Sequence, residues 1–300
     1  MSSPIEVIIN AGSGSVQSEE IKQILEGLFK ESGVEANIHL AKQGSEIIEL
    51  AQLAVKSDCK IIVAGGGDGT VSGVASELFK TDKILGVLPL GTLNNFSKDL
   101  GIPQDIKEAV RIIAENQVKK IDVAEVNGRI FINNSSIGFY PRIVRKRQKQ
   151  QEKGRSKWNA AFWATLQIFH LSPFLKVKLS LDKKQFLRKT PFVFVGNNEY
   201  DMDFFNIGRR NFLNKGKLGV YFLHRSGRTG LFMLVFHLIT GRLRQAKDFE
   251  EVMTEEITIQ MRKKRVLVAF DGEVAVLQTP LNYKIHPQSL NVIFPKEVQK

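Results

Sequence analysis

Short apolar runs and longer amphipathic stretches take turns along the first part of the chain. Ile5–Ile9 is a run of apolar residues rich in β-branched types, which predicts a buried strand. It gives way to the loop Asn10–Ser15. Ile21, Ile24, Leu25, Leu28 and Phe29 then recur at helical spacing, and Gly33 ends that helix. The same reading gives a strand at Ala36–Leu40, a helix at Ser45–Val55 with Ser45 as a candidate N-cap, and a strand at Lys60–Ala64 broken by three glycines. A helix at Thr70–Phe79, a strand at Ile84–Pro89 and a helix at Ile106–Ala114 follow. Strands alternating with helices of about ten residues imply a parallel sheet with right-handed crossovers.

After Asp122 the period changes. Ala124–Val126 and Ile130–Asn133 flank Asn127-Gly128, a hairpin signal. Further strand-like runs lie at Leu175–Leu181, Phe192–Val195, Leu218–Phe222, Ile257–Met261, Val266–Phe270, Val274–Leu277 and Leu290–Phe294, with an apolar helix near Leu231–Thr240. The expected organisation is an α/β N-terminal domain with a parallel sheet over residues 1–125, on which the C-terminal tail packs back, and a β-rich C-terminal domain over residues 126–295.

Composition adds limits. With 43% hydrophobic and 25% charged residues the chain is ordinary for a globular protein. One cysteine, Cys59, excludes an internal disulfide and suits a reducing compartment. The opening residues carry no secretory signal pattern, and the longest apolar stretch, around Leu231–Ile239, is about half a membrane span. A cytoplasmic protein is expected, peripherally attached to a membrane.

Charge sharpens that expectation. The formal net charge is +12, and Arg142–Lys157 holds eight basic residues and one acidic, a net +7. Trp158 and Trp163 follow directly, in the arrangement of an interfacial helix. Each cation near an anionic leaflet contributes about 1 kcal/mol. An anionic membrane surface is the expected partner, with Arg242, Arg244 and Lys247 as a second contact patch. A solvated basic helix packed on the second domain is the plain alternative. Nucleic acid is not expected, because the aromatics are not interleaved with the charges as stacking platforms. Whether the chain forms a homodimer stays open.

Candidate chemistry lies at the strand ends. The run Gly65-Gly66-Gly67-Asp68-Gly69-Thr70 follows a predicted strand and opens a helix. Glycines there let a ligand approach the backbone, and the helix N-terminus favours phosphate. Asp68 would repel an anion unless a cation or a helix cap intervenes. Two further loops, Asn10–Ser15 and Pro89–Phe96, would share the same carboxyl edge of the sheet. Neither a P-loop nor a complete dinucleotide fingerprint is present.

Together these residues resemble a known family. Gly66–Thr70 with Pro89-Leu-Gly-Thr-Leu-Asn-Asn-Phe-Ser-Lys-Asp-Leu-Gly-Ile-Pro103 is similar to the diacylglycerol kinase catalytic domain family, which includes bacterial soluble lipid kinases and sphingosine and ceramide kinases. Asn10, Ile137-Gly138-Phe139, Phe270-Asp271-Gly272-Glu273 and Pro280-Leu281 fit in the family's order. The resemblance implies a nucleotide-binding domain, a C-terminal β-sandwich and an active site in the cleft between them. It implies ATP and Mg²⁺ as cofactors, a lipid as substrate, and nucleotide contacts from Asn10, Gly12, Ser13, Gly14, Gly65, Gly66, Gly67, Asp68, Gly69, Thr70, Thr92 and Asn94. Catalytic candidates are Asp68, Asp271 and Glu273, one of the last two being the proton acceptor. Metal candidates are Asp68 and Asp122. The chain departs from the family at Ser72-Gly73, Asn95, Tyr140 and Lys215. At the last, a lysine stands where bacterial members often place an aspartate beside a structural magnesium, and lysine cannot ligate a cation.

The residue types suit phosphoryl transfer. That reaction needs the γ-phosphate held, its charge offset and a hydroxyl placed in line, which glycine amides, Mg²⁺ and a carboxylate can supply. His39, His170, His224, His237 and His286 show no metal spacing. The function expected is ATP-dependent phosphorylation of diacylglycerol or a related lipid. The alternatives are an NAD kinase-like phosphotransferase and a non-catalytic lipid- or nucleotide-binding protein.

Overall fold

The computed structural model describes residues 4–12, 15–138, 141, 174–181, 184–201, 210, 212–223 and 249–296. The basic segment Arg142–Lys157, both tryptophans, the apolar helix near Leu231–Thr240, the patch at Arg242, Arg244 and Lys247, and the loop residues Ser13 and Gly14 lie outside these. Two compact units divide the chain: Met1–Val123 with Pro287–Lys300, and Ala124–His286.

The first unit is an α/β domain. Its elements are β1 (Ile5–Asn10), α1 (Ser15–Glu31), β2 (Ala36–Ala41), α2 (Gly44–Lys56), β3 (Ile61–Gly66), α3 (Asp68–Leu78), β4 (Ile84–Pro89), α4 (Asn95–Asp99) and α5 (Ile106–Glu115). All adjacent pairs in the order β2-β1-β3-β4 are parallel. Val7, Ile8, Ile62, Val63 and Ala64 are wholly buried, as strands covered on both faces must be. Leu25 and Phe29 of α1, Val74 and Leu78 of α3, and Ala109 and Val110 of α5 are buried apolar residues of the surrounding helices. Ser45 is not the cap of α2: Gln43 holds that position, without a side-chain bond, and Ser45 lies in the first turn. The strand β3 also continues through Gly65 and Gly66, further than its apolar run.

The second unit is β-rich. The chain enters it within β5 (Val118–Val126) and continues through β6 (Arg129–Phe131), β7 (Asn134–Gly138), β8 (Leu175–Leu181), β9 (Lys184–Thr190), β10 (Phe192–Asn197) and β11 (Leu218–Leu223). Then come β12 (Phe249–Thr254), β13 (Glu256–Met261), β14 (Arg265–Phe270), β15 (Glu273–Gln278) and β16 (Leu281–Ile293). One sheet has the order β12-β11-β10-β7-β14-β15, and the other contains β16-β13-β8-β9. Their buried residues make one core, with Val193, Val195, Val220, Val268 and Ile137 from the first sheet and Val177, Leu179, Ile257, Ile259 and Tyr283 from the second. The chain returns to the first unit within β16, where Asn291 and Val292 pair in parallel with Ile84 and Leu85 of β4.

Candidate functional site

The glycine loops of the first unit meet at one sheet edge. The register pairs Ile9 with Gly65 and Gly66 with Pro89, so β1, β3 and β4 end level. A Cβ on Gly91 would lie 2.3 Å from the Gly67 Cα, so the loops after β3 and β4 touch backbone to backbone. A Cβ on Gly66 would lie 2.5 Å from Thr70 Oγ1. Asn10 ties the first loop in: its Nδ2 donates to Thr70 Oγ1 at 3.1 Å, and its Oδ1 accepts the Gly12 N–H at 3.0 Å. Gly69 differs, for a Cβ there would meet nothing within 4 Å. It sits in the first turn of α3, where free N–H groups and the dipole favour an anion.

Asp68 opens α3 but turns to the neighbouring helix. Its Oδ1 accepts the Phe96 N–H at 2.9 Å and its Oδ2 the Asn95 N–H at 3.2 Å, so it caps α4. A carboxylate has about four lone-pair sites, so each oxygen keeps one for a cation or a hydrated cation. Asn94 shapes the loop rather than its rim. It is in the left-handed region at φ 50°, and its Oδ1 accepts the Gly91 N–H at 3.0 Å. Its Nδ2 donates to the carbonyls of Pro89 and Gly91 and to Gln104 Oε1. Asp122 on β5 is wholly buried and its Oδ1 accepts the Gln288 N–H at 2.9 Å, where Gln288 bends β16 at φ 48°. Among the described residues no three His, Cys, Asp or Glu side chains gather where they could hold a metal ion.

The acidic turn of the second unit joins β14 to β15. Asp271 and Gly272 have φ 46° and 86°, a two-residue hairpin closed by the pair Phe270 and Glu273. The two carboxylates have different surroundings. Asp271 is buried, and its oxygens accept three consecutive backbone N–H groups: Ile132 at 2.7 Å, Asn133 at 2.8 Å and Asn134 at 3.0 Å. Glu273 reaches solvent. Neighbouring protein nevertheless strips enough water to push its carboxyl above the usual range. The Asp271 charge adds to that, and Arg129 opposes it. Sequence reading placed both acids on one turn but missed the residues beneath them: Asn133, Asn134, Asn197, Tyr200 and Arg210. The Asn133-Asn134 pair directly after the apolar run Ile130-Phe131-Ile132 was the available signal.

Residues 4–126 match the diacylglycerol kinase catalytic domain, and residues 140–294 match the YegS C-terminal NAD kinase beta sandwich-like domain. The chain belongs to the diacylglycerol kinase catalytic domain family. Among relatives of this kinase family, a probable lipid kinase YegS-like of Klebsiella pneumoniae is 31% identical over 47% of this chain and 48% of its own length. The diacylglycerol kinase of Bacillus subtilis is 34% identical over 42% of this chain and 43% of its own. The match thus spans about half of these named lipid kinases. An uncharacterised protein of Synechocystis is 29% identical over 96% of this chain and 69% of its own length. A crystal structure of a diacylglycerol kinase from Bacillus anthracis shares the fold, with a TM-score of 0.70 at 22% identity over 98% of each chain. At the position where members of the kinase family often carry an aspartate, Lys215 places its Nζ 3.7 Å from Glu199 Oε2 and 4.0 Å from the Phe212 ring centroid. An ammonium, not a carboxylate, occupies that corner of the fold.

Proposed function

We propose that this chain transfers the γ-phosphoryl group of ATP to a hydroxyl of a membrane lipid, diacylglycerol or a close relative. The observation that carries the reading is the glycine edge of the first unit, where two loops touch at Gly67 and Gly91 while Gly69 leaves the start of α3 open. Backbone amides there suit the phosphates of ATP, with Asn10, Thr92 and Asn94 shaping the loops around them. Asp68 keeps lone pairs for Mg²⁺, which when bound offsets the charge of the phosphates. Asp122, buried against the Gln288 amide, belongs to the fold in this reading.

Glu273 is the proton acceptor in this proposal. As the lipid hydroxyl oxygen bonds to the γ-phosphorus and the bond to ADP breaks, the hydroxyl proton passes to the Glu273 carboxylate and then to solvent. Desolvation raises its proton affinity, which suits that task. Asp271, with both oxygens engaged by amides, positions the turn instead.

Labelled ATP supplied with diacylglycerol, ceramide, sphingosine, monoacylglycerol or phosphatidylglycerol in mixed micelles tests the reading. Label on one of these lipids is expected. Label on NAD⁺ alone would instead establish the NAD kinase-like alternative, and nucleotide binding without transfer would establish a non-catalytic protein.

A further inference from the structure

Beneath the acidic turn lies a buried cation. Arg210 is 3% exposed. Its Nη1 donates to the Ile132 carbonyl at 2.6 Å and to the Asn197 carbonyl at 3.0 Å, and its Nη2 donates to Asn133 Oδ1 at 2.8 Å. The Tyr200 ring centroid lies 5.5 Å from the guanidinium carbon. Asn197 clamps the same stretch, its Nδ2 donating to the Ile132 carbonyl at 2.9 Å and its N–H to the Asn133 carbonyl at 2.8 Å.

The opposite side of this stretch faces Asp271. The carbonyl of Ile132 and the N–H of Asn133 belong to one peptide unit. Arg210 donates to its oxygen, and its N–H donates to Asp271 Oδ1. Cation, peptide and carboxylate therefore form one chain of aligned dipoles. A cation on a carbonyl polarises the peptide and strengthens its N–H as a donor, more so where the surroundings exclude water. Lysine could not match this geometry, because only a planar guanidinium offers parallel donors to a carbonyl and an amide oxygen together. Burying such a charge is costly, and apolar packing could fill the volume at no such cost.

We propose that Arg210 is a positioning residue for phosphoryl transfer: through the Ile132–Asn133 peptide it locks Asp271 in its left-handed turn, and so fixes where the next residue but one, Glu273, presents its carboxylate. The proposal rests on the kinase reading with Glu273 as proton acceptor. In this role Arg210 acts through the Ile132–Asn133 stretch and not on a reacting atom.

Three full-length variants test it: Arg210→Met, Arg210→Lys and Asn133→Ala. The readouts are kcat and KM for the lipid labelled by the wild type, ATP affinity by direct titration, and the backbone amide proton resonance of residue 133. Arg210→Met should lower kcat by about 10- to 100-fold, the cost of a misplaced base, with ATP affinity unchanged. Its residue-133 amide resonance should move upfield as that hydrogen bond weakens, and Arg210→Lys should recover part of both changes. Asn133→Ala keeps the Ile132 contact and should show the kcat loss in milder form, and it decides the question if Arg210→Met does not fold. A wild-type kcat in Arg210→Met or Asn133→Ala, or an unmoved residue-133 resonance in Arg210→Met, overturns the proposal. A wild type that labels no acceptor overturns the kinase reading itself, and the catalytic role of Arg210 with it.

Discussion

Two carboxylates one glycine apart meet opposite surroundings. Asp271 receives three amide donors and is held, while Glu273 receives none of them and is left with a raised proton affinity. Replacing Glu273 with Gln should lower phosphoryl transfer by about 10²- to 10⁴-fold, as loss of a general base does. It should also raise the melting temperature. The sign follows from the raised carboxyl: the fold prefers the protonated form, so the ionised form weakens stability once pH exceeds the folded pKa. The gain in Glu273→Gln should therefore be present near neutral pH and vanish in acid, below the unfolded carboxyl range, where Glu273 is protonated in both states. Thermal scans of both proteins across pH check this, and an equal gain in acid refutes it. Asp271→Asn should act on stability in the opposite direction. Its amide nitrogen would face N–H donors, so unfolding in urea should show a loss of about 3 kcal/mol whether or not activity is followed.

The glycines nearest the proposed nucleotide differ in the space around them. Gly91→Ala drives a methyl into the Gly67 backbone, and should destabilise the first unit and abolish nucleotide binding together. Gly69→Ala meets open space in a helical first turn. It should leave folding intact or stabilise it by up to about 1 kcal/mol, yet weaken ATP binding if phosphate approaches there. Calorimetric titration beside a thermal scan separates the two, and unchanged ATP affinity in Gly69→Ala moves the phosphates elsewhere. The glycine loops were legible because backbone approach leaves its mark in composition. So were most strands, because burial demands apolar runs. The misses share a cause. β7 is Asn-Ser-Ser-Ile-Gly, polar residues held inside the second unit, where Ser135 pairs with the Tyr283 hydroxyl and Asn134 donates to that of Tyr200. β9 carries Lys, Gln and Arg at the end of its sheet, where pairing, not hydrophobicity, sets the conformation. Arg210 gave no sign at all, since nothing local tells a buried arginine from a solvated one.

For the molecule as a whole, charge is the remaining lever. No helix among the described residues is long and apolar enough to cross a membrane. The net +7 of Arg142–Lys157 predicts binding to vesicles containing phosphatidylglycerol that weakens steeply as salt rises. Charge reversal or neutralisation at Arg145, Lys146 and Arg147 should reduce co-sedimentation with those vesicles and leave binding to soluble ATP alone. Sedimentation indifferent to both salt and these substitutions would end the electrostatic account.

The path of the chain has a consequence for synthesis. The first unit receives β16 beside β4 only after Ala124–His286 has been made. At a translation rate of 5–20 residues per second, that delay is roughly 10–30 s. During it, β4 waits on the ribosome without its final neighbour, its hydrogen-bonding edge open to other nascent chains. Slowing elongation through the inserted segment should therefore raise the aggregated fraction, and a chaperone that shields bare strand edges should lower it.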